Sequence, residues 1–189
     1  ELYKAGKLTN AHKELDTGLS AWNLAMGSQE LYDWLDAEPQ LFHPGDLDYI
    51  HSVERISKLS NVISINGGVQ LDLMGQENAE STGTRQLSGV GGQMDFLEGA
   101  YRSKGGKGFI CINSSRVTKD GERKSNILAT IPGGSTISAP RTMIQYVATE
   151  YGIASLSGKT LRERAEAMAS IAHPDFREEL MKYAQENFK

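Results

Sequence analysis

Ser88-Gly-Val-Gly-Gly-Gln-Met-Asp-Phe96 is a glycine-dense turn that leads into a predicted helix. Its first four residues after Ser88 include three glycines. Glycines of this kind expose backbone N–H groups and permit positive φ, so the loop can approach a ligand closely or donate to an anion. The turn lacks the spacing of a dinucleotide fingerprint or a Walker loop. Taken alone, it indicates either a ligand-binding loop or a purely structural turn.

Strand and helix patterns alternate on both sides of this turn, which predicts one α/β unit over residues 1–189. The opening residues, Glu1 to Gly6, are typical of the last turns of a helix that ends at a glycine. Pro174 separates the final two helices, because proline cannot continue a helix. Strands are predicted at 61–65, 69–73, 109–112, 126–131 and 144–149, and helices at 28–38, 47–59, 161–171 and 176–188.

Charge and composition exclude several classes of protein. The net charge of -4 and the pI near 5.6 argue against nucleic-acid binding, which usually needs a basic excess. No apolar run approaches the ~18 residues of a membrane helix, and the single cysteine is typical of a reducing compartment, so we expect a cytoplasmic protein. Cys111 lies in an apolar run and is predicted to be buried. No Cys/His cluster has metal-ligand spacing, so no metal is expected.

Four motifs carry a resemblance to a known family. In chain order they are Gly75-Gln-Glu-Asn-Ala-Glu-Ser81, the turn at 88–96, Val147-Ala-Thr-Glu-Tyr-Gly152 and Ile171-Ala-His-Pro-Asp-Phe-Arg177. This series resembles the C-terminal half of acetyl-CoA hydrolase/transferase proteins, and the similarity extends over essentially the whole chain. The loop at 113–121 is longer and has fewer glycines than in some relatives. In this respect it resembles the branch that acts on 4-hydroxybutyrate and butyrate.

The resemblance implies the α/β fold of the CoA-transferase superfamily, with this chain as the second of two similar halves. It implies transfer of coenzyme A between an acyl-CoA and a small carboxylate such as acetate, through a glutamyl-CoA thioester. In relatives the nucleophilic glutamate lies on a loop just before the segment that matches Glu1 to Gly6. The expected partners are therefore the protein's own N-terminal half, which would supply this loop, and a second copy in a homodimer.

The resemblance also implies three catalytic positions. Gly92 matches the glycine whose N–H forms the oxyanion hole, and Glu150 matches a second active-site glutamate. His51 falls near a position that is often Asn in relatives. Without the family, these residues would be a turn glycine, a solvated strand end and an ordinary helix-face histidine. His173, before Pro174, is interpreted as a cap and packing residue rather than a general base.

Coenzyme A carries several phosphates, so a local basic patch is needed even on an acidic protein. Arg102, Lys104 and Lys107 supply such a patch shortly after the glycine turn, and a second basic cluster lies at 116–124. By composition alone, either cluster would be a solvated loop. The residues expected to bind the cofactor are Gly89, Gly91, Gln93, Lys104 and Lys107.

Two other functions remain open at this point. An acyl-CoA hydrolase on the same scaffold would differ only in whether water reaches the acyl-enzyme, which depends on how the pocket closes. A non-catalytic CoA-binding module would keep the turn and the basic patch but perform no transfer.

Overall fold

The computed structural model describes residues 1–188, which form a mixed α/β structure. A 3-10 turn at Pro39–Leu41 precedes the second strand. In chain order the elements are β1 (Ser20–Trp22), α1 (Gln29–Ala37), β2 (Phe42–Pro44), α2 (Leu47–Ile50), α3 (Val53–Lys58), β3 (Ile63–Gly67), β4 (Gln70–Asp72), β5 (Glu77–Asn78), β6 (Ser81–Thr82), β7 (Arg85–Gln86), α4 (Gln93–Arg102), β8 (Lys107–Cys111), β9 (Ser115–Val117), β10 (Arg123–Ser125), β11 (Ile127–Leu128), β12 (Tyr146–Thr149), β13 (Gly152–Ser155), α5 (Leu161–Ser170) and α6 (Pro174–Asn187).

The central sheet has the strand order β13-β12-β8-β3. β3, β8 and β12 are parallel, and β13 returns antiparallel beside β12. One face of this sheet packs against α4 and α5, and α6 packs on α5. Ile110, Val147 and Met168 are fully buried there in one apolar cluster. Parallel strands need a crossover connection, and α4 provides it on the way into β8. The start of α4 therefore lies at the edge where β3 and β8 end.

The opposite face of the sheet is apolar and uncovered in residues 1–188. Ile65 and Ile153 are 69% and 63% exposed, and the rings of Phe109 and Tyr146 stack with their centroids 4.8 Å apart. These side chains share a face because Ile65, Phe109 and Tyr146 are in register across three strands. We call this surface the open sheet face, made of Ile63, Ile65, Phe109, Tyr146 and Ile153.

A smaller sheet, in the order β11-β4-β5, lies beside the central one and carries buried polar residues. Asp72 and Glu77 are both fully buried there. Arg164 on α5 joins this region to the helices, because its guanidinium donates to the carbonyl oxygens of Met74, Leu156 and Arg141 at 2.7 to 2.9 Å. These bonds satisfy a cation that is otherwise costly to bury.

The last two helices begin as their sequence indicates. Thr160 and Glu163 form a capping box at α5, and Pro174 is the first residue of α6. Within residues 1–188, no helix combines the length and the apolar character that a membrane crossing requires.

Three details differ from the sequence-based expectations. Cys111 is exposed, not buried, because Ile110 and Ile112 take the core side of the strand and alternation turns Cys111 to the open face. The helix expected at 47–59 is split into α2 and α3, because the Ser52 hydroxyl accepts from the Arg55 N–H at 3.2 Å and starts a new helix. Glu1 to Gly6 form a single hydrogen-bonded turn, with Gly6 at a φ of +67°.

Candidate active site

A cleft of about 940 Å³ opens at the edge of the central sheet where the parallel strands end. Open α/β sheets bind ligands at this edge, beyond the carboxyl ends of their strands. Residues from widely separated parts of the sequence line the cleft, among them Asn23, His51, Asn66, Gly91, Gly92 and Gln93. The structure thus brings together His51 and the glycine turn, which the sequence placed about forty residues apart.

Gly92 is the N-cap residue of α4, with φ -91° and ψ 11°. The positive φ that the glycine-rich turn led us to expect falls on Gly91, at +61°. Gly92 is a glycine for a different reason. A Cβ at this position would come within 2.2 Å of Cε1 of His51, closer than real Cβ atoms approach a neighbour.

His51 is held by contacts on several sides of its ring. Nε2 lies 2.9 Å from Nδ2 of Asn23, and Nδ1 lies 3.4 Å from Oδ2 of Asp95. The amide nitrogen of Asn23 donates, so Nε2 accepts and the proton of the neutral ring is on Nδ1, facing the carboxylate. The ring also meets Phe96 edge-on, with centroids 5.2 Å apart. These contacts fix the imidazole against the glycine turn.

The start of α4 presents backbone donors to the cleft. The first N–H groups of a helix have no acceptor within the helix, and among residues 1–188 no side chain caps those of α4. The helix macrodipole adds partial positive charge at the same point. Gly91 and Gly92 lack side chains, so a ligand oxygen can reach the backbone. The turn can therefore stabilise an oxygen that carries negative charge.

Glu77 lies beneath this turn and was not assigned a role from the sequence. Gln93, a buried residue, donates from Nε2 to Oε2 of Glu77 at 2.5 Å. Burial raises the pKa of Glu77 to about 7, and the bond from Gln93 only partly opposes the rise. The one signal in the sequence that could have drawn attention to Glu77 was its position in the first family motif, at 75–81.

Glu150 lies at the same edge of the sheet, directly after β12, but outside the cleft. Its carboxylate accepts from the N–H and the hydroxyl of Ser114, at 2.9 Å and 2.6 Å. Partial desolvation acts to raise the pKa of Glu150, but the bonds from Ser114 hold it below its ordinary range. Glu150 is therefore an anion at neutral pH.

The basic residues expected to bind coenzyme A lie at the other end of α4. Arg102 ends this helix and pairs with Glu98, Lys104 follows it, and Lys107 begins β8. A ten-residue helix is about 15 Å long, so these cations are separated from Gly92 by that length. Gly89 lies in the exposed part of the turn. The structure gathers Gly91, Gly92, Gln93 and His51 in one cleft but does not bring Lys104 and Lys107 there.

His173 acts as a cap, as expected from its sequence. Its Nδ1 accepts from the N–H of Asp175 at 3.3 Å at the start of α6. The ring packs edge-on against Tyr151 with centroids 5.6 Å apart. The interpretation of His173 as a cap and packing residue is confirmed.

Several known proteins are similar to this chain over nearly its whole length. The butyryl-CoA:acetate CoA-transferase of Anaerostipes caccae is 43% identical over 98% of the chain and 41% of the relative. The 4-hydroxybutyrate coenzyme A transferase of Clostridium kluyveri is 44% identical over 100% of the chain and 43% of the relative. A solved 4-hydroxybutyrate CoA-transferase from Porphyromonas gingivalis has a TM-score of 0.81 at 36% identity, covering 99% of the chain and 42% of the solved one.

Acetyl-CoA hydrolases are more distant relatives, and that of Kluyveromyces lactis is 30% identical over 83% of the chain and 29% of the relative. The chain spans about two fifths of the length of the transferases that it matches. The sequence profile of the acetyl-CoA hydrolase/transferase C-terminal domain matches residues 27–184. The chain therefore belongs to the acetyl-CoA hydrolase/transferase family, through its C-terminal domain.

Proposed function

We propose that this chain is the C-terminal part of a CoA-transferase that exchanges coenzyme A between butyryl-, 4-hydroxybutyryl- or acetyl-CoA and a carboxylate such as acetate. The observation that carries the proposal is the glycine turn at the start of α4, with its backbone donors open to the cleft and His51 packed against Gly92. The named activities of relatives at 43% and 44% identity support the same reaction.

The reaction begins when a glutamate carboxylate attacks the carbonyl carbon of the acyl-CoA thioester. The carbonyl oxygen becomes an oxyanion, which the N–H of Gly92 and the positive end of α4 would stabilise. Collapse expels the CoA thiolate and leaves a mixed anhydride. The thiolate then attacks the glutamyl carbonyl, releases the first carboxylate and forms a glutamyl-CoA thioester. The acceptor carboxylate repeats these steps in reverse.

We assign the attacking glutamate to the N-terminal half of the enzyme. Within residues 1–188, the cleft is lined by two aspartates, Asp46 and Asp48, and by no glutamate, and the nearby Glu77 is buried beneath Gln93. Glu150 is bound to Ser114 and lies outside the cleft. We propose that Glu150 serves as the second active-site carboxylate, whose fixed negative charge orders the loop at 113–114 beside the reacting groups.

The basic patch at the far end of α4 suits the phosphate end of coenzyme A. The cofactor is a long molecule, so its thioester and its phosphates bind at separate places on a protein. Arg102, Lys104 and Lys107 lie about one helix length from Gly92, on the same helix or just after it. We propose that coenzyme A extends along α4, with the thioester at the turn and the phosphates at this patch.

The open sheet face is the surface that the rest of the enzyme would cover. Contiguous exposed apolar groups of this kind mark contact surfaces. Relatives carry more than half of their length outside the region that matches this chain. We propose that the N-terminal half packs on Ile65, Phe109 and Ile153, and that the complete enzyme is a homodimer.

The test is an assay of the full-length protein with butyryl-CoA, with and without acetate. We expect acetyl-CoA to form in the presence of acetate, with free thiol released much more slowly. Mass spectrometry of the protein after incubation with acyl-CoA alone should show covalently attached CoA. Thiol release at an equal rate without acetate would identify a hydrolase instead. If neither acetyl-CoA nor free thiol formed, the protein would be a CoA-binding module without catalytic activity.

A further inference from the structure

The glycine turn has few groups that can fix its own position. Residues 89–92 are Gly-Val-Gly-Gly, and the side chain of Val90 is 48% exposed. The turn is held instead at its two ends. At the first end, the Leu87 N–H donates to the carbonyl oxygen of Glu80 at 2.7 Å, and Gln86 donates to the carbonyl oxygen of Ser88 at 2.7 Å. At the second end, the side chain of Gln93 reaches Glu77.

Glu77 is a rigid point of attachment. Its N–H donates to the carbonyl oxygen of Ala139 at 3.0 Å, and its own carbonyl oxygen accepts from the Ser138 N–H at 2.8 Å. The side chain is fully buried. A Cβ at Gly68 would lie 2.6 Å from Oε1 of Glu77, so the glycine at 68 leaves the space that the carboxyl group occupies. The chain thus builds a defined place for this carboxyl group.

Burying the carboxyl group of Glu77 lowers the stability of the fold, so a functional role for this residue is expected. Oε1 of Glu77 has no hydrogen-bond partner within residues 1–188, and a buried oxygen without a partner destabilises a fold. Within the described part of the chain, the side chain makes its polar contact with Gln93, the first residue of α4. That contact holds the residue next to Gly92, where the backbone donors begin.

We propose that Glu77 is a positioning residue, which through Gln93 sets the backbone N–H groups of Gly92 and the start of α4 at the place where the thioester oxygen becomes charged. This inference rests on the proposed function. A donor must lie within about 3 Å of the developing oxyanion. A displacement near 1 Å can cost about 10²-fold in rate, so a fixed attachment beneath the glycine turn would directly affect catalysis.

The experiment uses the full-length enzyme with Glu77→Leu, Glu77→Gln and the control Asp72→Asn. Asp72 is a fully buried carboxylate of the same small sheet that bonds only locally, to Met74 and Gln76, within residues 1–188. We expect Glu77→Leu to lower kcat about 10²-fold with KM for acyl-CoA within about twofold, because the donors are displaced while most binding contacts remain. Glu77→Gln keeps an acceptor for Gln93 and should restore most of kcat.

A second readout is hydrogen exchange of the amides at 88–94, which needs no activity. Exchange there should rise in Glu77→Leu but not in Asp72→Asn, while exchange in α5 stays the same. Unchanged exchange at 88–94, or raised exchange with wild-type kcat, would overturn the role of Glu77. The role of Glu77 would also be overturned if kcat fell in Glu77→Leu and Asp72→Asn alike, in proportion to the fall in melting temperature. If Glu77→Leu does not fold, Gln93→Met removes the same bond and should raise exchange at 88–94 in the same way. A wild-type enzyme without CoA transfer would instead refute the proposed function itself.

Discussion

The imidazole of His51 occupies the space that a side chain at Gly92 would need, with Cε1 only 2.2 Å from the position of a Cβ. The two residues therefore act as one unit, in which the histidine closes one side of the turn and the glycine keeps its backbone accessible. Their contact explains why position 92 must be glycine even though its φ of -91° is open to any residue.

Gly92→Ala should consequently disable the full-length enzyme. The added methyl group must move His51 or the turn, which displaces the oxyanion donor, and loss of such a donor typically costs about 10² to 10³ in kcat. Steady-state kinetics will measure this. Gly133→Ala is the matched control, since a Cβ there meets no atom within 4 Å. Combining Gly92→Ala with His51→Ala should cost less than the sum of the two single changes, and strict additivity would contradict the contact.

Glu150→Gln should leave the fold intact and lower turnover, because it keeps the shape of the side chain while removing its charge. Bonds from Ser114 hold the pKa of Glu150 below its ordinary range, so this carboxylate stays ionised as the pH falls toward 5. Ser114→Ala should raise the pKa of Glu150 and move the acid limb of the pH–rate profile to higher pH. If Glu150→Gln kept wild-type turnover across the pH range while Glu150→Ala merely lowered the melting temperature, the residue would be structural.

Glu77 should make the stability of the protein depend on pH. Its pKa is raised from an ordinary 4.5 to about 7, so between these values the folded protein holds a proton that the unfolded chain has lost. The contribution of this proton to the free energy of unfolding is therefore complete below pH 4.5 and is lost as the pH rises through 7. The free energy of unfolding should fall by about 3 kcal/mol over this range. Urea unfolding of wild type and Glu77→Gln at several pH values will show this. Parallel pH profiles for the two proteins would contradict the raised pKa.

Neutralising the basic patch should weaken acyl-CoA binding without affecting the acceptor. With Arg102, Lys104 and Lys107 all changed to Gln, we expect KM for acyl-CoA to rise more than KM for acetate, because only the former substrate carries the phosphates. Lys182→Gln is a control on α6, where Lys182 pairs with Glu186. If KM for acyl-CoA and KM for acetate both stayed nearly unchanged, the three residues would be ordinary solvated side chains and not a phosphate-binding patch.

The isolated chain should associate with itself and should not transfer CoA. Its open sheet face exposes Ile65 and Ile153, and we expect light scattering to show concentration-dependent association. Ile65→Lys should reduce it, whereas Tyr32→Lys, on α1 and away from that sheet, should not. A monomer at high concentration, or purification-resistant transfer activity, would contradict the proposed division of the enzyme into two halves.

The sequence predicted the α/β order of elements because alternation and helical spacing are local signals. It also predicted the cap at His173, which depends only on the neighbouring Pro174 and Asp175. The exposure of Cys111 was mispredicted, since an apolar run does not reveal which face of a sheet remains uncovered. The position of Glu77 beneath Gln93 depends on contacts between residues far apart in the sequence, which no local pattern contains.

Under the proposed function, the turn at 89–92 contacts its ligand through the backbone, and this has an evolutionary consequence. Backbone N–H groups can contact only the thioester carbonyl, an atom group common to every acyl-CoA, so the turn is indifferent to the rest of the acyl chain. Relatives named for butyryl-CoA and for 4-hydroxybutyrate both align with this region. Under the proposed function, related enzymes can diverge toward new acids by changing other walls of the cleft, and this divergence requires no change in these four residues.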